Sequence, residues 1–404
     1  MSAHPAQNSA VAVTGVGILT PLGDTLAAVC DALTAGRTSI APEESPVPFV
    51  GSRFADFDAT RYANVRGMRV YNRTTRLGIC ATRLALVDAG LIDSGFPGER
   101  LGVIMASTFG HLDTLIEYDR SLVANGPSRT NPALMPLAIP SAPGAAIALS
   151  FGAKACSITL ADGGASSLDA LGLGVRLVRD GRVSACVVVA AYGLIDELIL
   201  SAKRAGQLAG AGEFLVFDER SRGTAFGEAT VALVLERAGD ARERGARSKA
   251  FVGGQASTFS SSHEGMIEAL TSACRQALRL SATTPDELGL VLSGANGTQA
   301  TDTIEARALL SLLGGVSRQP AVAAIKSSLG ESEDASGLLS AASAIATLTG
   351  GLAPPIVGLG QPLVTGLRYL TQAEPVERGH ALITATSRTG ACSALVVSRE
   401  AHVD

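Results

Sequence analysis

The chain of 404 residues has no tryptophan, aromatic residues make up only 4% of it and charged residues only 17%. Nucleic-acid surfaces need clustered lysine and arginine or aromatic platforms for bases, and a chain of net charge −4 without basic clusters has neither. Nucleic-acid binding is excluded on both counts. Cysteine is sparse as well: Cys30, Cys80, Cys156, Cys186, Cys274 and Cys392 stand singly in mostly apolar surroundings, without Cys-x-x-Cys or metal-ligand spacing. Reduced, buried thiols are expected, with no metal and no cofactor. Long apolar runs are missing too. Although 47% of residues are apolar, runs such as Val103–Ala106 and Ala185–Ala191 stop far short of the ~18 residues that cross a bilayer. Met1–Ser9 is polar and leads straight into the first strand, which gives no signal-peptide core. A soluble cytoplasmic protein without membrane contact is expected.

What is present is enough apolar sequence for two or three domain-sized units, and 45 glycines for turns and close packing. Val11–Gly17 predicts a strand running into a glycine turn, followed by Thr20-Pro21-Leu22-Gly23-Asp24 and a helix from about Thr25 to Ala35. Leu77, Ile79, Leu84, Leu86 and Val87 predict a helix from Asn72 to a stop at Gly90, and a strand Leu101–Ser107 follows. A near copy lies far downstream: a helix over Met266–Leu280, an acidic turn, and a strand over Glu287–Ser293, where Leu288-Gly289 echoes Leu101-Gly102. The copy predicts two similar halves, residues 10–240 and 250–400, each a sheet covered by helices. Their join would be the charged stretch Glu236–Lys249, read as a solvated surface segment. The runs Val187–Ala191 and Val231–Leu235 suit central strands buried on both faces.

Several blocks in order resemble the β-ketoacyl synthase family of the thiolase superfamily, over nearly the whole chain. They are Val11–Gly23, Phe217–Gly223, Gly227-Glu228 and Leu233–Glu236. The resemblance implies an α/β, five-layer α-β-α-β-α duplicated fold with two mixed sheets. It also implies a chemistry in which a cysteine at a helix N-terminus carries an acyl chain and two histidines support decarboxylation of a malonyl thioester. Phe151–Gly164, continuing into Ala165-Ser166-Ser167-Leu168, is similar to the strand and helix around that cysteine, whose position falls on Gly164. Ala295-Asn296-Gly297-Thr298 is similar to the family's Ala-His-Gly-Thr turn, so Asn296 replaces the first histidine, with Asp302 and Glu305 at the family's following acids. Lys326-Ser327-Ser328-Leu329-Gly330-Glu331 is similar to Lys-Ser-x-x-Gly-His, so Glu331 replaces the second. Arg388–Ser393 stands where the family has a glycine-rich loop with an aromatic gate. No catalytic residue is expected at this degenerate site.

The remaining groups have plain readings. Cys156, eight residues before Gly164, is expected to be a small buried hydrophobe in or beside a strand. Asp162 is expected to cap the helix after it, and Asp24 and Ser166 to satisfy local backbone groups. Lys326 with Asp302 and Glu305 predicts a buried ion-pair network, with Glu331 in reach of Lys326. Asn296 is expected to bond within its own turn. His111 and His263 read as solvated loop residues, while His4 and His402 lie in the tails. By resemblance the chain is a chain-length factor. It would pair as a heterodimer with a catalytic ketosynthase and shape the pocket for an acyl or polyketide chain held on an acyl carrier protein. The pathway would be polyketide (aromatic or polyene) or specialised fatty-acid biosynthesis. Pocket and interface residues would come from Phe109–Ala138, including Asn131–Pro136, and from Ala155–Ser167. A rival reading is a refitted acyltransferase or malonyl-thioester decarboxylase acting alone, with Asp162, Asn296 or Glu331 as acid, base or oxyanion donor. A third is an autonomous thioester-binding homodimer.

Overall fold

The short apolar runs become the strands of two five-stranded mixed sheets, joined edge to edge into one continuous hydrogen-bonded array. In the computed structural model, residues 10–44 and 47–401 are described; Met1–Ser9, His4 and His402 lie outside them. The ten strands of the main sheet are β1 (Val11–Leu19), β2 (Leu101–Ala106), β3 (Cys156–Leu160), β4 (Ala185–Tyr192), β5 (Ala229–Arg237), β6 (Ala250–Phe259), β7 (Leu288–Leu292), β8 (Ala321–Ala323), β9 (His380–Thr386) and β10 (Ala391–Ser398). Their spatial order is β8-β7-β9-β10-β6-β1-β5-β4-β2-β3. Each set of five runs first, fifth, fourth, second, third from the centre outward. The directions match as well: the first two pairings of each set are antiparallel and the last two parallel. The two mixed sheets meet edge to edge where Val11, Ala12 and Val13 of β1 pair antiparallel with Val252, Phe251 and Ala250 of β6.

Eight helices matter for the layering: α1 (Leu26–Thr34), α2 (Arg73–Asp88), α3 (Leu112–Asn125), α4 (Ala142–Ser150), α5 (Ser166–Arg179), α6 (His263–Leu280), α7 (Gln299–Leu313) and α8 (Ser336–Leu348). Helices α2 and α4 cover the outer face of the first sheet, and α6 with α7 covers that of the second. Between the sheets lie α5 and α8, each packed on strands of both. The result is five layers, α-β-α-β-α. Helix α8 has no charged residue and is buried along nearly its whole length. Leu338, Leu339, Ile345 and Leu348 each contribute roughly 1.5–3 kcal/mol from burial.

Local signals explain most boundaries. Asn72 accepts from the Thr75 amide to start α2, and Ser262 accepts from Gly265 to start α6. The echo of Leu101-Gly102 in Leu288-Gly289 places both pairs in the second strand of their set. Two readings change. Gly15 and Gly17 do not form a turn; they lie inside β1, where an added Cβ would sit 2.2 Å from the Ala85 carbonyl oxygen and 1.9 Å from that of Ala81. Their glycines let α2 lie directly on the strand. The join Glu236–Lys249 is not wholly solvated, because Glu236 is buried and accepts from Thr14 Oγ1 at 2.5 Å and Arg244 Nη2 at 2.6 Å. Among the described residues no helix is long and apolar enough to cross a membrane.

Candidate functional site

The site forms where chain segments leave the carboxyl ends of β2, β3, β7, β8 and β9, the usual location of ligand clefts in α/β sheets. Two turns of almost identical shape face each other there. Asp162 (φ −105°, ψ 22°) leads into Gly163 (φ 65°) and on to Ser166 at the start of α5. Ser332 (φ −107°, ψ 23°) leads into Glu333 (φ 44°) and on to Ser336 at the start of α8. In each turn the serine hydroxyl accepts from the amide four residues back, Asp162 N to Ser166 at 2.6 Å and Ser332 N to Ser336 at 3.1 Å. Thr108 ties the pair together: its amide and hydroxyl bond Asp334 at 2.7 Å each, and its Oγ1 accepts from the Gly163 amide at 3.0 Å.

A cleft of about 950 Å³ opens over these turns, and Gly164, Asn296, Glu331, Glu333, Thr386 and Arg388 are among its lining residues. Thus Gly164, Asn296 and Glu331, distant in sequence, share one cavity. A Cβ on Gly164 would lie 2.6 Å from the Thr386 carbonyl oxygen, so backbone occupies the space of any side chain there. Glu331 is buried and fully engaged. Its Oε2 accepts from Lys326 Nζ at 2.7 Å and Asn296 Nδ2 at 3.0 Å, and its Oε1 from Ser336 Oγ at 2.8 Å and the Glu333 amide at 2.9 Å. Burial pushes the Glu331 carboxyl up, but the Lys326 ammonium and these hydrogen bonds bring it below its ordinary value. Lys326 also donates to the Gly294 carbonyl at 2.9 Å.

Neighbouring acids shift the other way. Burial, with the Glu331 charge alongside, raises Glu333 to about 7 although it pairs with Arg388. Burial raises Asp334 to about 6 against the hydrogen bonds from Thr108 and Ser166. Asp302 is raised to about 7 by burial, although it accepts from the amides of Phe217, Asn296 and Gly297. Glu305, also raised by burial, accepts from Ser293 Oγ at 2.9 Å and Thr384 Oγ1 at 2.5 Å.

The expected ion-pair network therefore shrinks to one pair. Lys326 pairs with Glu331, whereas Asp302 accepts from amides and Glu305 from hydroxyls within hydrogen-bond distance, closer than the ammonium comes to either. Asn296 does bond within its own turn, to the amide and hydroxyl of Thr298 at 3.1 and 2.8 Å. Asp162 makes no capping bond and its side chain is exposed; α5 has no side-chain cap, and Ser166 instead satisfies a local backbone group, the Asp162 amide in the preceding turn. Asp24 instead accepts from the Tyr62 hydroxyl at 3.0 Å. Cys156 opens β3 and is only half-buried, because β3 is an edge strand. His263 is exposed, at the start of α6 and on the cleft wall. His111 is not solvated: it is buried at the start of α3, and burial pushes its imidazole below the ordinary value although Asp113 is nearby. Sequence reasoning passed over Glu333, Asp334 and Thr108. The signal was the Ala-Ser step shared by Ala165-Ser166 and Ala335-Ser336.

The layering, the strand order and the paired turns define a thiolase-like protein of the condensing-enzyme class. Residues 8–241 match the β-ketoacyl synthase N-terminal domain and residues 247–360 the β-ketoacyl synthase C-terminal domain. The chain belongs to the β-ketoacyl synthase family. Among its relatives, both ketoacyl synthase subunits of the tetracenomycin polyketide synthase of Streptomyces glaucescens are 30% identical to it. The alpha subunit aligns over 87% of this chain and 88% of its own length, the beta subunit over 96% and 98%. The ishigamide ketosynthase/chain length factor superposes with a TM-score of 0.88 at 22% identity, covering 96% of this chain and 98% of that one.

Proposed function

We propose that this chain is a cytoplasmic chain-length-factor subunit that carries no nucleophile and pairs with a catalytic ketosynthase. In that complex it would shape the pocket into which an acyl or polyketide chain grows from an acyl carrier protein. Gly164 carries this reading: the turn at the N-terminus of α5 presents no side chain, and the Thr386 carbonyl fills the space one would need. The relatives include both an alpha and a beta ketoacyl synthase subunit, and a position without a side chain at Gly164 supports the non-catalytic reading. The rival reading, an independent decarboxylase or acyltransferase, needs a free acid or base. Glu331 has all its near positions taken by four partners, and Asp162 points to solvent, which favours the paired subunit. We also propose that residues 10–240 and 250–400 are two copies of one folding unit, supported by their common strand order.

The test is co-expression with a ketosynthase that retains its cysteine, followed by measurement of assembly and condensation. The reading predicts a stable 1:1 complex that elongates malonyl carrier-protein thioesters, and no turnover by this chain alone. Decarboxylation or elongation by the isolated chain, abolished by Glu331→Ala, would reject it.

A further inference from the structure

Arg388 lies at the turn between β9 and β10, directly over the first of the paired turns. Its neighbours Thr386 and Ser387 are the atoms that a Cβ on Gly164 or Gly163 would strike, at 2.6 and 2.5 Å. From there the Arg388 side chain reaches across to the second turn. One guanidinium nitrogen pairs with Glu333, and the other donates to Gln207 Oε1 at 3.1 Å. Its own side chain is 58% exposed, whereas that of Glu333 is 8% exposed. One end of the contact is therefore fixed in the protein and the other is free to swing.

We propose that the Arg388–Glu333 pair is a proton-released latch across the cleft, closed while Glu333 is ionised and open once it is protonated. The inference does not rest on the chain-length-factor reading; it concerns access to the part of the cleft behind this pair, whatever enters it.

Three features support a latch over a static brace. Glu333 sits at φ 44°, a left-handed conformation uncommon for a side-chain-bearing residue, so the turn holds it in place against a local preference. The groups that face it are of mixed sign and come from several elements. Glu331 and Asp334 share its segment, Arg388 arrives from the β9–β10 turn, and the buried Tyr192 of β4 lies beneath with an unpartnered hydroxyl. Lys326 is occupied by Glu331 and leaves Arg388 as the one cation paired with Glu333 among the described residues. Finally, Glu333 is held near 7 by burial and by the Glu331 charge, so the release falls where modest changes of pH act. The hairpin turn itself stays fixed by its own bonds, Ser387 N to Ala391 O at 2.8 Å and Ser260 N to Gly390 O at 3.0 Å. Opening is thus a swing of one side chain.

Thr224 supplies a reporter. It lines the cleft, is 5% exposed, and its hydroxyl has no hydrogen-bond partner, so Thr224→Cys removes no bond. Its amide donates to the Gln207 carbonyl at 2.8 Å, which places it behind the Arg388–Gln207 contact. The experiment measures the rate at which a thiol reagent modifies this cysteine between pH 6 and pH 8, in the otherwise native chain and in an Arg388→Met background. The unsubstituted chain sets the background from native cysteines. Each rate is divided by the thiolate fraction taken from that variant's own thiol titration, because an ordinary thiol near about 8.5 is already partly ionised at pH 8 and loss of a neighbouring guanidinium shifts it. The native-to-Arg388→Met ratio is formed from these corrected rates. The latch predicts that the ratio falls about tenfold from pH 6 to pH 8 as Glu333 ionises near 7. With Glu333→Gln the ratio should stay flat and near one. A ratio that does not change with pH in the native chain overturns the latch. So does a Glu333→Gln variant that remains as protected at pH 8 as the native chain. In the Arg388→Met chain Glu333, left without its cation, takes up a proton rather than stay charged, and Arg388 itself is 58% exposed, so that chain remains folded and the comparison survives even if Glu333→Gln fails to fold.

Discussion

At the scale of single residues, the site is a contest between burial and partners, and the two adjacent glutamates end on opposite sides. Glu331 wins its charge from Lys326 at 2.7 Å; Glu333 faces Glu331 and is raised to about 7. Removing only one member of a buried pair leaves a charge without compensation. Lys326→Met should therefore cost about 3–5 kcal/mol in urea denaturation at pH 8. The loss should shrink at pH 5, where Glu331, deprived of its cation, takes up a proton. An equal loss at both values would mean that Lys326 contributes by packing alone.

The raised acids also fix the sign of the native protein's own pH dependence. Glu333 and Asp302 at about 7 and Asp334 at about 6 hold protons that the unfolded chain releases near 4. In that window the folded state binds more protons, so stability is greatest on the acid side and is lost as pH rises through the folded values. Glu331 and His111, with their values lowered, act oppositely; the Glu331 contribution changes only below the ordinary carboxylate range, and the one imidazole, whose contribution changes only below about 6.5, is outweighed by the three acids. Urea midpoints should accordingly be higher at pH 5.5 than at pH 8, and Glu333→Gln should flatten part of the slope. A midpoint that climbs from pH 5.5 to pH 8 would contradict these assignments.

At the scale of elements, the paired turns show what was legible and what was not. Helix caps at Asn72 and the strand beginning Leu101-Gly102 follow from residue type and spacing, because caps and alternation act locally. That Gly164 lies in the turn leading into a helix was legible as well. The burial of Glu236 and His111 was not, because each depends on elements far away in sequence: Thr14 for one, and packing at the start of α3 for the other. Glu333 was hidden for a different reason, since nothing in the residue type announces a left-handed backbone. Only the matching turn around Gly163 reveals it. The pairing has a measurable consequence. Ser166 and Ser336 each accept from their own turn and donate to an acid, Asp334 for the first and Glu331 for the second. Either serine to alanine should cost about 1–2 kcal/mol. At pH 5, below the Asp334 value of about 6, Ser336→Ala should cost more, because only its acid, Glu331, is then ionised and charge-assisted bonds are stronger. Thermal or urea unfolding of the two variants side by side checks the order.

At the scale of the whole molecule, the outer edge of the first sheet is the unfinished part. Among the described residues strand β3 ends the sheet with no neighbour on its far side, and its residues Cys156–Leu160 are at best half-buried. Unpaired edges in stable proteins are normally short, charged or covered; this one reads Cys-Ser-Ile-Thr-Leu and carries no charge. Beside it, α4 packs on β2 and β3 and exposes Leu149 at 79%, while the adjoining segment Pro132–Leu137 and its sequel expose Met135 at 47% and Ile139 at 41%. Helix α3, packed on the same segment, exposes Val123 at 80%. A neutral edge flanked by exposed aliphatic side chains suits the face on which a second chain of the same fold would add its own β3. If the proposed ketosynthase pairing uses it, charge placed there should separate the subunits without unfolding them. Leu149→Asp combined with Ile139→Asp should leave the stability of the isolated chain within about 0.5 kcal/mol, since both positions are solvated. The same variant should fail to co-purify with the ketosynthase and abolish condensation by the mixture, because a buried unpaired charge costs several kcal/mol. If the doubly charged variant still forms the 1:1 complex, the partner docks elsewhere, and the open edge of β3 needs another explanation.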